Sequence, residues 1–586
     1  MHGLGYIYIE NFRGCRKVAI PLESFTPLVG PNNAGKTTIL EAIKYVLSPK
    51  ALTKGDAADS NRPVVVCARI DGIGEELLET LSEPRHRASI DPYCRNGSLW
   101  IRVVGPAKPK QEVWDPDQYS GEGVPTVWRS YPTGLPEAVS ALMPEARHIE
   151  ALDDIKEDLG KGKAGSTIRD LLDDLMSPIL EAHAEVSQAL ATIRQVLSAN
   201  ANGRTPLLQE FDREATGALA EFFPGLSVEL DMPEVEVKEF FRSGDVLVTD
   251  LLSGDRRRFD QLGTGAQRAL QMALIRLLAD RSHRQGRSPA RRVLLIDEPE
   301  LFLHPQAIVR VREALFKLSK CGFQIIFSTH SPFMISRENA ADVVIVRRDH
   351  DAGVSTRPPM REAVTQAIED ARAQSRVLFE LGNVAGIYFS DRVVLCEGKT
   401  ERRLLPVIEK TSGNGTSTCF VELGSCSSIP KGLKVLEAMG ISVCAIADLD
   451  FGFTSARGAR SLLPAEDEVM SATREILREM SSSRGCTLAA NGLPQNSSEW
   501  PAWKTWAEFA RHERGKLVSD QVYTKLLGYR VWVWPVGCME NVLGIEEKGE
   551  EIIVEQEERL RSMDLSGLES HVPLLVDCSR WIASLR

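Results

Sequence analysis

The sequence predicts a multidomain protein of the α/β class, and three observations support this prediction. Its 586 residues exceed the usual size of one domain. An apolar run, Phe25–Val29, leads through a glycine-containing loop into an amphipathic helix, which is the order of elements in a nucleotide-binding fold. Two later apolar runs, Val393–Cys396 and Val443–Ala447, each end in carboxylates, so we expect both to be strands that deliver acidic side chains to one site.

The composition is typical of a soluble globular protein, with 43% hydrophobic and 26% charged residues. The sequence contains no run of about 18 apolar residues, so we expect no membrane span. The first residues lack the basic region followed by an apolar stretch that marks a secretory signal, so we expect none. The 11 cysteines are scattered without a CxxC pair, which is typical of buried free thiols in the cytoplasm. The net charge of −11 does not indicate nucleic-acid binding, so such binding would need a local basic surface or metal ions bridging to phosphate.

The loop after the strand Phe25–Val29 has the form GxxxxGKT and precedes a helix, which is the context of a phosphate-binding loop (P-loop). Its glycines let backbone N–H groups approach the phosphates, and the helix adds its positive N-terminal end. We expect Lys36 to reach the β- and γ-phosphates of ATP and the Thr37 hydroxyl to ligate Mg²⁺. The predicted nucleotide ligands are Gly30, Asn32, Asn33, Gly35, Lys36, Thr37 and Thr38.

A matching acidic motif follows a second apolar strand, Val293–Ile296, far along the chain. Asp297 is expected to hold the Mg²⁺ of ATP through water, and Glu298 to polarise the attacking water. Another apolar strand, Phe323–Phe327, ends near His330, which is placed to sense the γ-phosphate.

The segment Leu262–Arg268 opens a helix ahead of this acidic motif and contains Gly265. Together, these motifs resemble those of ABC-type ATPases of the structural-maintenance and RecF-like group. The resemblance implies that two ATPase heads clamp ATP between the P-loop of one and the signature motif of the other, with Gly265 among the contacts. The signature departs from LSGGQ because Gly263 stands where serine would be, and Thr264 is then the source of a hydroxyl.

The two ATPase parts, residues 1–149 and 225–350, are predicted to flank an insertion at residues 150–224. Apolar residues recur there at helical spacing. They include Ile168, Leu171, Leu172, Leu175, Ile179 and Leu180. A further amphipathic stretch runs from 206 to 223. Two interpretations stay open: an ordinary helical subdomain, or a hairpin that dimerises with its copy.

The polar, turn-rich segment Arg347–Arg357 is expected to be a linker between domains. Arg361–Leu381 is then expected to form one helix within a connector at residues 351–388. Residues 389–586 are predicted to form the C-terminal domain.

In that domain Glu397 follows one strand and Glu401 lies in the first turn of the next helix, so both can face one cleft. Asp448 and Asp450 follow the next apolar run, and residues two apart in a strand point the same way. Clustered carboxylates repel one another unless a cation neutralises them, and hard oxygen ligands favour Mg²⁺ or Mn²⁺. The arrangement resembles a Toprim domain, the catalytic fold of topoisomerases, primases and several nucleases.

A last acid, Glu540, follows a strand and a glycine and opens a helix. With this motif the chain resembles the OLD (overcoming lysogenisation defect) nucleases, which fuse an N-terminal ABC-type ATPase to a C-terminal Toprim domain. The resemblance implies that Glu397, Asp448 and Asp450 hold one metal ion. It implies that Glu401 and Glu540 hold or orient a second. A lysine that stabilises transition-state charge is expected in this family, and Lys548 or Lys399 could supply it.

The stretch between Asp450 and Glu540 contains Trp500, Trp503 and Trp506 near basic residues. Such a pattern is compatible with base stacking on nucleic acid. It is more often the core and solvated edge of a helix.

From the resemblance we expect an ATP-regulated, metal-dependent endonuclease that acts on duplex DNA with two ions at the Toprim site and one with ATP. We expect a dimer or tetramer, in bacterial defence against phage or in DNA repair. Some relatives work with a separate helicase or within a reverse-transcriptase (retron) system. The alternatives are a nucleotide-switched scaffold that binds without cutting, and an RNA-processing nuclease.

Overall fold

We describe the protein from a computed structural model. The structure describes residues 2–149 except 80, 82, 83 and 107, short pieces between 188 and 258, and residues 261–285. It also describes residues 292–585 except 414–416, 460, 485, 498, 499, 547 and 548. The helical repeat expected between Ile168 and Leu180 lies outside the described residues, as does Lys548.

The described residues contain 18 β-strands. In chain order they are β1 (Gly3–Phe12), β2 (Cys15–Pro21), β3 (Phe25–Val29), β4 (Val64–Asp71), β5 (Leu99–Gly105), β6 (Lys110–Trp114), β7 (Trp128–Ser130), β8 (Glu145–Ile149), β9 (Leu247–Thr249), β10 (Arg256–Arg258), β11 (Arg292–Ile296), β12 (Phe323–Thr329), β13 (Val344–Asp349), β14 (Gly353–Arg357), β15 (Arg392–Cys396), β16 (Thr418–Glu422), β17 (Ser442–Ala447) and β18 (Val531–Val533).

The α-helices of the same residues are concentrated in the C-terminal half. In chain order they are α1 (Lys36–Leu47), α2 (Glu75–Leu78), α3 (Pro84–Ile90), α4 (Leu135–Leu142), α5 (Pro206–Ala220), α6 (Thr264–Gln285), α7 (Pro305–Lys320), α8 (Met360–Ala367), α9 (Ala371–Gly382), α10 (Lys399–Thr411), α11 (Ile429–Ala438), α12 (Glu468–Arg484), α13 (Ala502–Arg511), α14 (Glu513–Leu527), α15 (Met539–Val542), α16 (Glu550–Arg561), α17 (Leu565–His571) and α18 (Pro573–Ser584).

The chain forms two compact units. The first comprises Met1–Arg16, Pro21–Phe25 and Thr37–Thr329, and the second comprises Lys17–Ile20, Thr26–Lys36 and His330–Arg586. The glycines of the P-loop and Lys36 therefore belong to the same unit as the C-terminal carboxylates. The domain limits expected from the sequence stay a prediction.

In the first unit β1 pairs antiparallel with β4, and β5, β6 and β7 extend this ladder. Strand β11 runs parallel to both β8 and β12. The apolar face of α1 is fully buried at Ile39, Leu40 and Ile43, as the 3.6-residue spacing of the sequence predicts. The strands and helices expected around the P-loop and the Asp297 motif are confirmed.

In the second unit β3 runs parallel to β13, which turns back antiparallel into β14. The expectation that Arg347–Arg357 is a linker is therefore wrong. Most of its polar residues lie in the two short strands, residues 350–352 form the turn between them, and Val354 is buried. A short hairpin whose turn is rich in Asp, His and Gly is hard to distinguish from a loop by composition.

The prediction of a single helix over Arg361–Leu381 is also wrong, because the structure has two helices there, α8 and α9. The break falls where Asp370 caps α9, its side chain accepting a hydrogen bond of 2.7 Å from Ala373 N. An aspartate in this position satisfies one free N–H of the new helix and favours a restart.

The C-terminal strands form a parallel sheet in the order β16–β15–β17–β18. Side chains alternate between two buried clusters. Val393 and Val443 belong to one cluster with α8, α9 and α11, whereas Val394 and Cys444 belong to another with α10 and α18. Burial on both faces is the usual condition of an all-parallel sheet.

Among the helices of the described residues, none combines the length and the apolar character that a bilayer crossing requires.

Candidate carboxylate centre and nucleotide-binding motifs

The carboxyl ends of β15 and β17 lie side by side at the topological switch point of the C-terminal sheet. The chain leaves β15 for β16 on one side of the sheet and leaves β17 for β18 on the other side, so the two connections run in opposite directions. In open parallel sheets the crevice at such a point is the usual ligand site. Glu397 follows β15 directly and Asp448 follows β17 directly.

The structure brings Glu397, Asp448 and Asp450 together at this crevice. One carboxylate oxygen of each lies within 4.8 Å of the others, and all three side chains are half-buried. The Asp448 backbone N–H also donates to Glu397 Oε2 at 3.2 Å, which fixes the two strand ends relative to each other. Three carboxylates this close repel one another unless a cation lies between them, and oxygen ligands of this kind suit Mg²⁺ or Mn²⁺.

Asp448 and Asp450 lie together as expected, but the expected reason, that residues two apart in one strand point the same way, is wrong. Strand β17 ends at Ala447, and Asp450 lies in a 3-10 helix, Leu449–Phe453. The chain turns because Leu449 and Phe451 are fully buried and Leu449 N donates to Gly537 O at 2.7 Å. The turn, rather than strand alternation, leaves both carboxylates at the opening.

Glu401 and Glu540 lie outside this three-residue cluster and are more deeply buried, at 4% and 6% exposure. Trp534 Nε1 donates to Glu401 Oε1 at 3.4 Å, and the Thr400 hydroxyl donates to Glu540 Oε1 at 3.4 Å. Both glutamates are therefore held by neutral donors. Thr400 and Trp534 are partners that no local sequence pattern could have indicated.

Glu540 is positioned by a tight turn at Gly537, whose φ is +120°. A Cβ there would lie 2.6 Å from Asn541 Oδ1 and 3.1 Å from Ala507 Cα. Asn541 Oδ1 in turn accepts a hydrogen bond of 3.0 Å from Cys538 N and so caps α15, the short helix that carries Glu540. The turn admits only glycine for steric and conformational reasons.

We expect Gly537→Ala to lower cleavage at the carboxylate centre at least about tenfold and to destabilise the fold by about 1–3 kcal/mol. Gly544→Ala is the matched control, because Gly544 also has positive φ, +70°, but nothing lies within 4 Å of the added Cβ. Thermal melting and initial cleavage rates of both variants measure the effect. Equal activity of the two variants would contradict the role given to the turn.

Burial, together with the nearby Glu397 and Asp450 carboxylates, raises the pKa of the Cys426 thiol to about 11. Its Sγ lies 3.1 Å from the Ser455 hydroxyl. In the absence of a cation the thiol is therefore protonated at neutral pH.

Two lysines, Lys548 and Lys399, were candidates for stabilising transition-state charge. Lys548 lies outside the described residues, whereas Lys399 is exposed at the start of α10, two residues after Glu397. The assignment of a lysine to the site stays a prediction.

The tryptophan-rich stretch is mainly core. Trp506 is 4% exposed and stacks on Phe453, with ring centroids 4.7 Å apart. Trp500 packs against the same cluster, and Trp503 is half-buried with Lys504 Nζ 5.4 Å from its ring centroid. The nucleic-acid stacking interpretation is wrong for Trp506, because its ring is enclosed by protein.

In the first unit the nucleotide motifs meet around Asp297. The Thr37 hydroxyl donates to Asp297 Oδ1 at 3.1 Å, and the Ser328 hydroxyl donates to the same oxygen. Ser328 Oγ also accepts a hydrogen bond of 3.0 Å from Glu298 N. Thr37 and Asp297 thus lie within hydrogen-bonding distance of each other, and Glu298 follows Asp297 in the chain. Their roles toward Mg²⁺ and water stay a prediction.

In the second unit Lys36 is buried and its Nζ donates to Gly30 O and Pro31 O, each at 3.1 Å. The same Nζ lies 2.7 Å from His330 Nε2. Asn32 and Asn33 are exposed at the crest of the loop, and Thr38 is half-buried in the first turn of α1. In the first unit, Gly265 is half-buried in the first turn of α6.

Arg268 is a residue of the signature segment to which sequence reasoning gave no role. It is fully buried, and its Nη2 donates to Asp297 O at 2.6 Å and to Glu298 O at 2.8 Å. Its Nη1 donates to Gln271 Oε1 at 2.7 Å. Burial lowers the pKa of Arg268 to about 10, which still leaves it charged at neutral pH. It therefore fixes the backbone that carries the two acids.

We expect Arg268→Met to reduce ATP hydrolysis at least about tenfold. The variant removes the hydrogen bond to the buried Asp297 carbonyl, which costs about 1–3 kcal/mol in the free energy of unfolding. The Glu298 carbonyl loses one donor but still accepts from Leu301 N at 3.1 Å. Chemical denaturation and phosphate release measure the two effects. Arg276→Met, a change on the exposed face of the same helix, is the control. An Arg268→Met protein with the wild-type hydrolysis rate would contradict this role.

Three family models match the chain. An AAA ATPase domain matches residues 4–80, another AAA domain model matches residues 152–336, and the overcoming lysogenization defect protein-like TOPRIM domain matches residues 388–450. The fold and the motifs thus define a class of protein: an ABC-type ATPase joined to a C-terminal Toprim domain.

Named relatives extend this match over almost the whole chain. An Old nuclease of Escherichia phage P2 is 32% identical over 562 residues, which cover 93% of this chain and 93% of the relative. An OLD nuclease of Thermus scotoductus is 24% identical over 84% of this chain and 93% of its own length. Endonuclease GajA of Bacillus cereus is 22% identical over 68% of this chain and 66% of its own. The chain belongs to the OLD nuclease family, and the predicted family, fold class and enzyme class are confirmed.

Proposed function

We propose that the protein is a divalent-metal-dependent DNA endonuclease whose carboxylate centre is controlled by ATP. The observation that carries the proposal is the convergence of Glu397, Asp448 and Asp450, within 4.8 Å, at the switch point of the C-terminal sheet. An acidic crevice with no cation would repel a phosphodiester, whereas a cation-loaded one attracts it. Membership in a nuclease family supports DNA as the substrate.

The five acids form two groups in this proposal. Glu397, Asp448 and Asp450 hold one Mg²⁺ or Mn²⁺, and Glu401 and Glu540 hold or orient a second. Cations bound there activate water and stabilise charge on the phosphate during hydrolysis. Trp534 and Thr400 keep the buried glutamates in fixed orientations, so the pair is preorganised for the incoming phosphate.

The nucleotide motifs supply the control. Lys36 contacts the β- and γ-phosphates of ATP, Thr37 and Asp297 hold its Mg²⁺, and Glu298 polarises the attacking water. His330 responds to the γ-phosphate, and its Nε2 lying 2.7 Å from Lys36 Nζ supports this role.

The test incubates purified protein with supercoiled plasmid and with an RNA transcript of the same sequence, in Mg²⁺ or Mn²⁺, with and without ATP. We expect metal-dependent cleavage of the plasmid and little cleavage of the RNA. Preferential RNA cleavage would assign the protein to RNA processing. A preparation that hydrolyses ATP and cuts neither substrate would favour a nucleotide-switched scaffold.

We further propose that the protein acts as a homodimer or a larger homo-oligomer in which heads pair across ATP. Leu207 and Phe211 of α5 support contact between copies, because these side chains are 77% and 49% exposed and lie one turn apart. We expect Leu207→Glu/Phe211→Glu to shift the mass measured by light scattering toward the monomer. An unchanged mass would remove α5 from the interface.

We also propose, from the family alone, a role in defence against phage. Plating phage on cells that express the wild-type protein or an Asp448→Asn variant tests it. Equal plating efficiencies would contradict the role.

A further inference from the structure

The hairpin formed by β13 and β14 lies directly against the P-loop within the second unit. Val344 and Ile345 of β13 pair with Leu28 and Val29, the last residues of the strand that leads into the loop. A Cβ on Gly30 would lie 2.2 Å from Val346 O, so the loop begins in contact with the hairpin backbone.

Two side chains of the hairpin contact the P-loop itself. Arg348 Nη1 donates to Asn33 Oδ1 at 3.2 Å. Val354 is 2% exposed, and its Cγ2 would lie 2.4 Å from a Cβ on Gly35. A displacement of the loop at Asn33 or Gly35 would therefore act directly on Arg348 or Val354.

The other end of the hairpin contacts the C-terminal domain. Arg357, the last residue of β14, lies over Gly440, and its Cδ would be 3.1 Å from a Cβ there. Gly440 lies in the turn between α11 and β17, where Gly440 N donates to Glu437 O at 2.8 Å and Ile441 N donates to Leu436 O at 2.9 Å. This turn leads directly into β17, the strand that ends at Asp448.

A continuous core underlies these contacts. Val29 before the P-loop, Ile345 of the hairpin, Met360 of α8 and Val443 of β17 all belong to one cluster of buried residues. Strand β17 is buried from its second residue to its last. Close-packed interiors have low compressibility and transmit displacement rather than absorb it.

We propose that the β13–β14 hairpin couples the nucleotide state of the P-loop to the carboxylate centre. A displacement of the P-loop moves Arg348 and Val354, and Arg357 then displaces the turn at Gly440. Because β17 follows this turn, the displacement of the turn shifts β17 and with it Asp448 and Asp450. This inference rests on the proposed function for its consequence, which is ATP control of cleavage, but its structural part can be measured without cleavage.

Hydrogen exchange of the full-length protein, with and without ATP and Mg²⁺, tests the coupling. We expect ATP to change exchange at least about threefold in two segments, residues 346–356 of the hairpin and residues 436–447 of the turn and β17. Arg357→Ala should keep the change in the hairpin and lose it in residues 436–447. Val354→Ala should weaken the change in both segments, because it acts at the receiving end.

The control is His350→Ala, in the exposed turn of the hairpin, where the hydrogen bond to Asp351 is with a neighbour in the chain. We expect wild-type exchange changes in this variant. The proposal is overturned if ATP leaves residues 436–447 of the wild-type protein unchanged, or if Arg357→Ala keeps the full change there.

The same variants give a functional measurement. The effect of ATP is measured as the ratio of the plasmid cleavage rates with and without ATP. We expect Arg357→Ala to bring this ratio at least about fivefold closer to one while the affinity for ATP stays unchanged. Couplings between sites commonly change such a ratio by about 5- to 150-fold. An ATP effect within twofold of the wild-type ratio would count against the coupling. Absence of any cleavage in the wild-type protein would instead count against the proposed nuclease, and the exchange measurement would still decide the coupling.

Discussion

Asp448→Asn is expected to lower phosphodiester cleavage by at least about a thousandfold, equivalent to about 4 kcal/mol of activation free energy. The substitution keeps the shape of the side chain but replaces a charged ligand oxygen with an amide in the three-carboxylate cluster. The backbone N–H of residue 448 still reaches Glu397 Oε2, so the strand ends stay joined. Initial rates of plasmid nicking at saturating metal measure the loss.

ATP hydrolysis by Asp448→Asn should stay within about twofold of wild type, because Asp448 takes no part in the nucleotide motifs. Asp520→Asn, an exposed residue of α14, is the matched control and should leave both activities unchanged. Cleavage by Asp448→Asn within tenfold of the wild-type rate would show that the cluster is not the site of chemistry.

Glu298→Gln is expected to slow ATP hydrolysis by about 100- to 1000-fold while ATP binding is retained, because the amide cannot accept a proton from the attacking water. The backbone at residue 298 has φ +43° and is held by Ser328 Oγ and Arg268 Nη2, and glutamine can keep these contacts. Single-turnover phosphate release and the retention of labelled ATP measure the two properties.

The matched control is Glu313→Gln, an exposed position on α7. Normal turnover by Glu298→Gln would contradict the ABC-type mechanism. Loss of ATP binding in the variant would show instead that Glu298 is a binding residue.

The elements around the P-loop and the two acidic strand ends were predictable because their signals are local. An apolar run of buried residues followed by glycines or carboxylates specifies both the strand and the end at which the site lies. This is why β3, β11, β15 and β17 were expected within one or two residues of their observed limits. The grouping of Glu397 with Asp448 and Asp450 was implied by the family resemblance, since each acidic motif follows an apolar run.

The features that sequence reasoning missed depend on distant partners. The turn at Leu449–Phe453 exists because Leu449 and Phe451 are buried and Leu449 bonds to Gly537, which lies far along the chain. Arg268 acquires its role only because the backbone of residues 297 and 298 folds against it. Likewise, the polar strands of the β13–β14 hairpin resemble a linker until their contacts with Asn33 and Gly35 are known.

The most direct test of the central claim compares plasmid cleavage by the wild-type protein and by Asp448→Ala/Asp450→Ala, across a titration of Mg²⁺ or Mn²⁺ into metal-free protein. We predict nicking or linearisation that rises with metal for the wild-type protein and none for the double variant, which should still hydrolyse ATP. Cleavage by the double variant at the wild-type rate, or wild-type cleavage that is independent of metal, would contradict the account.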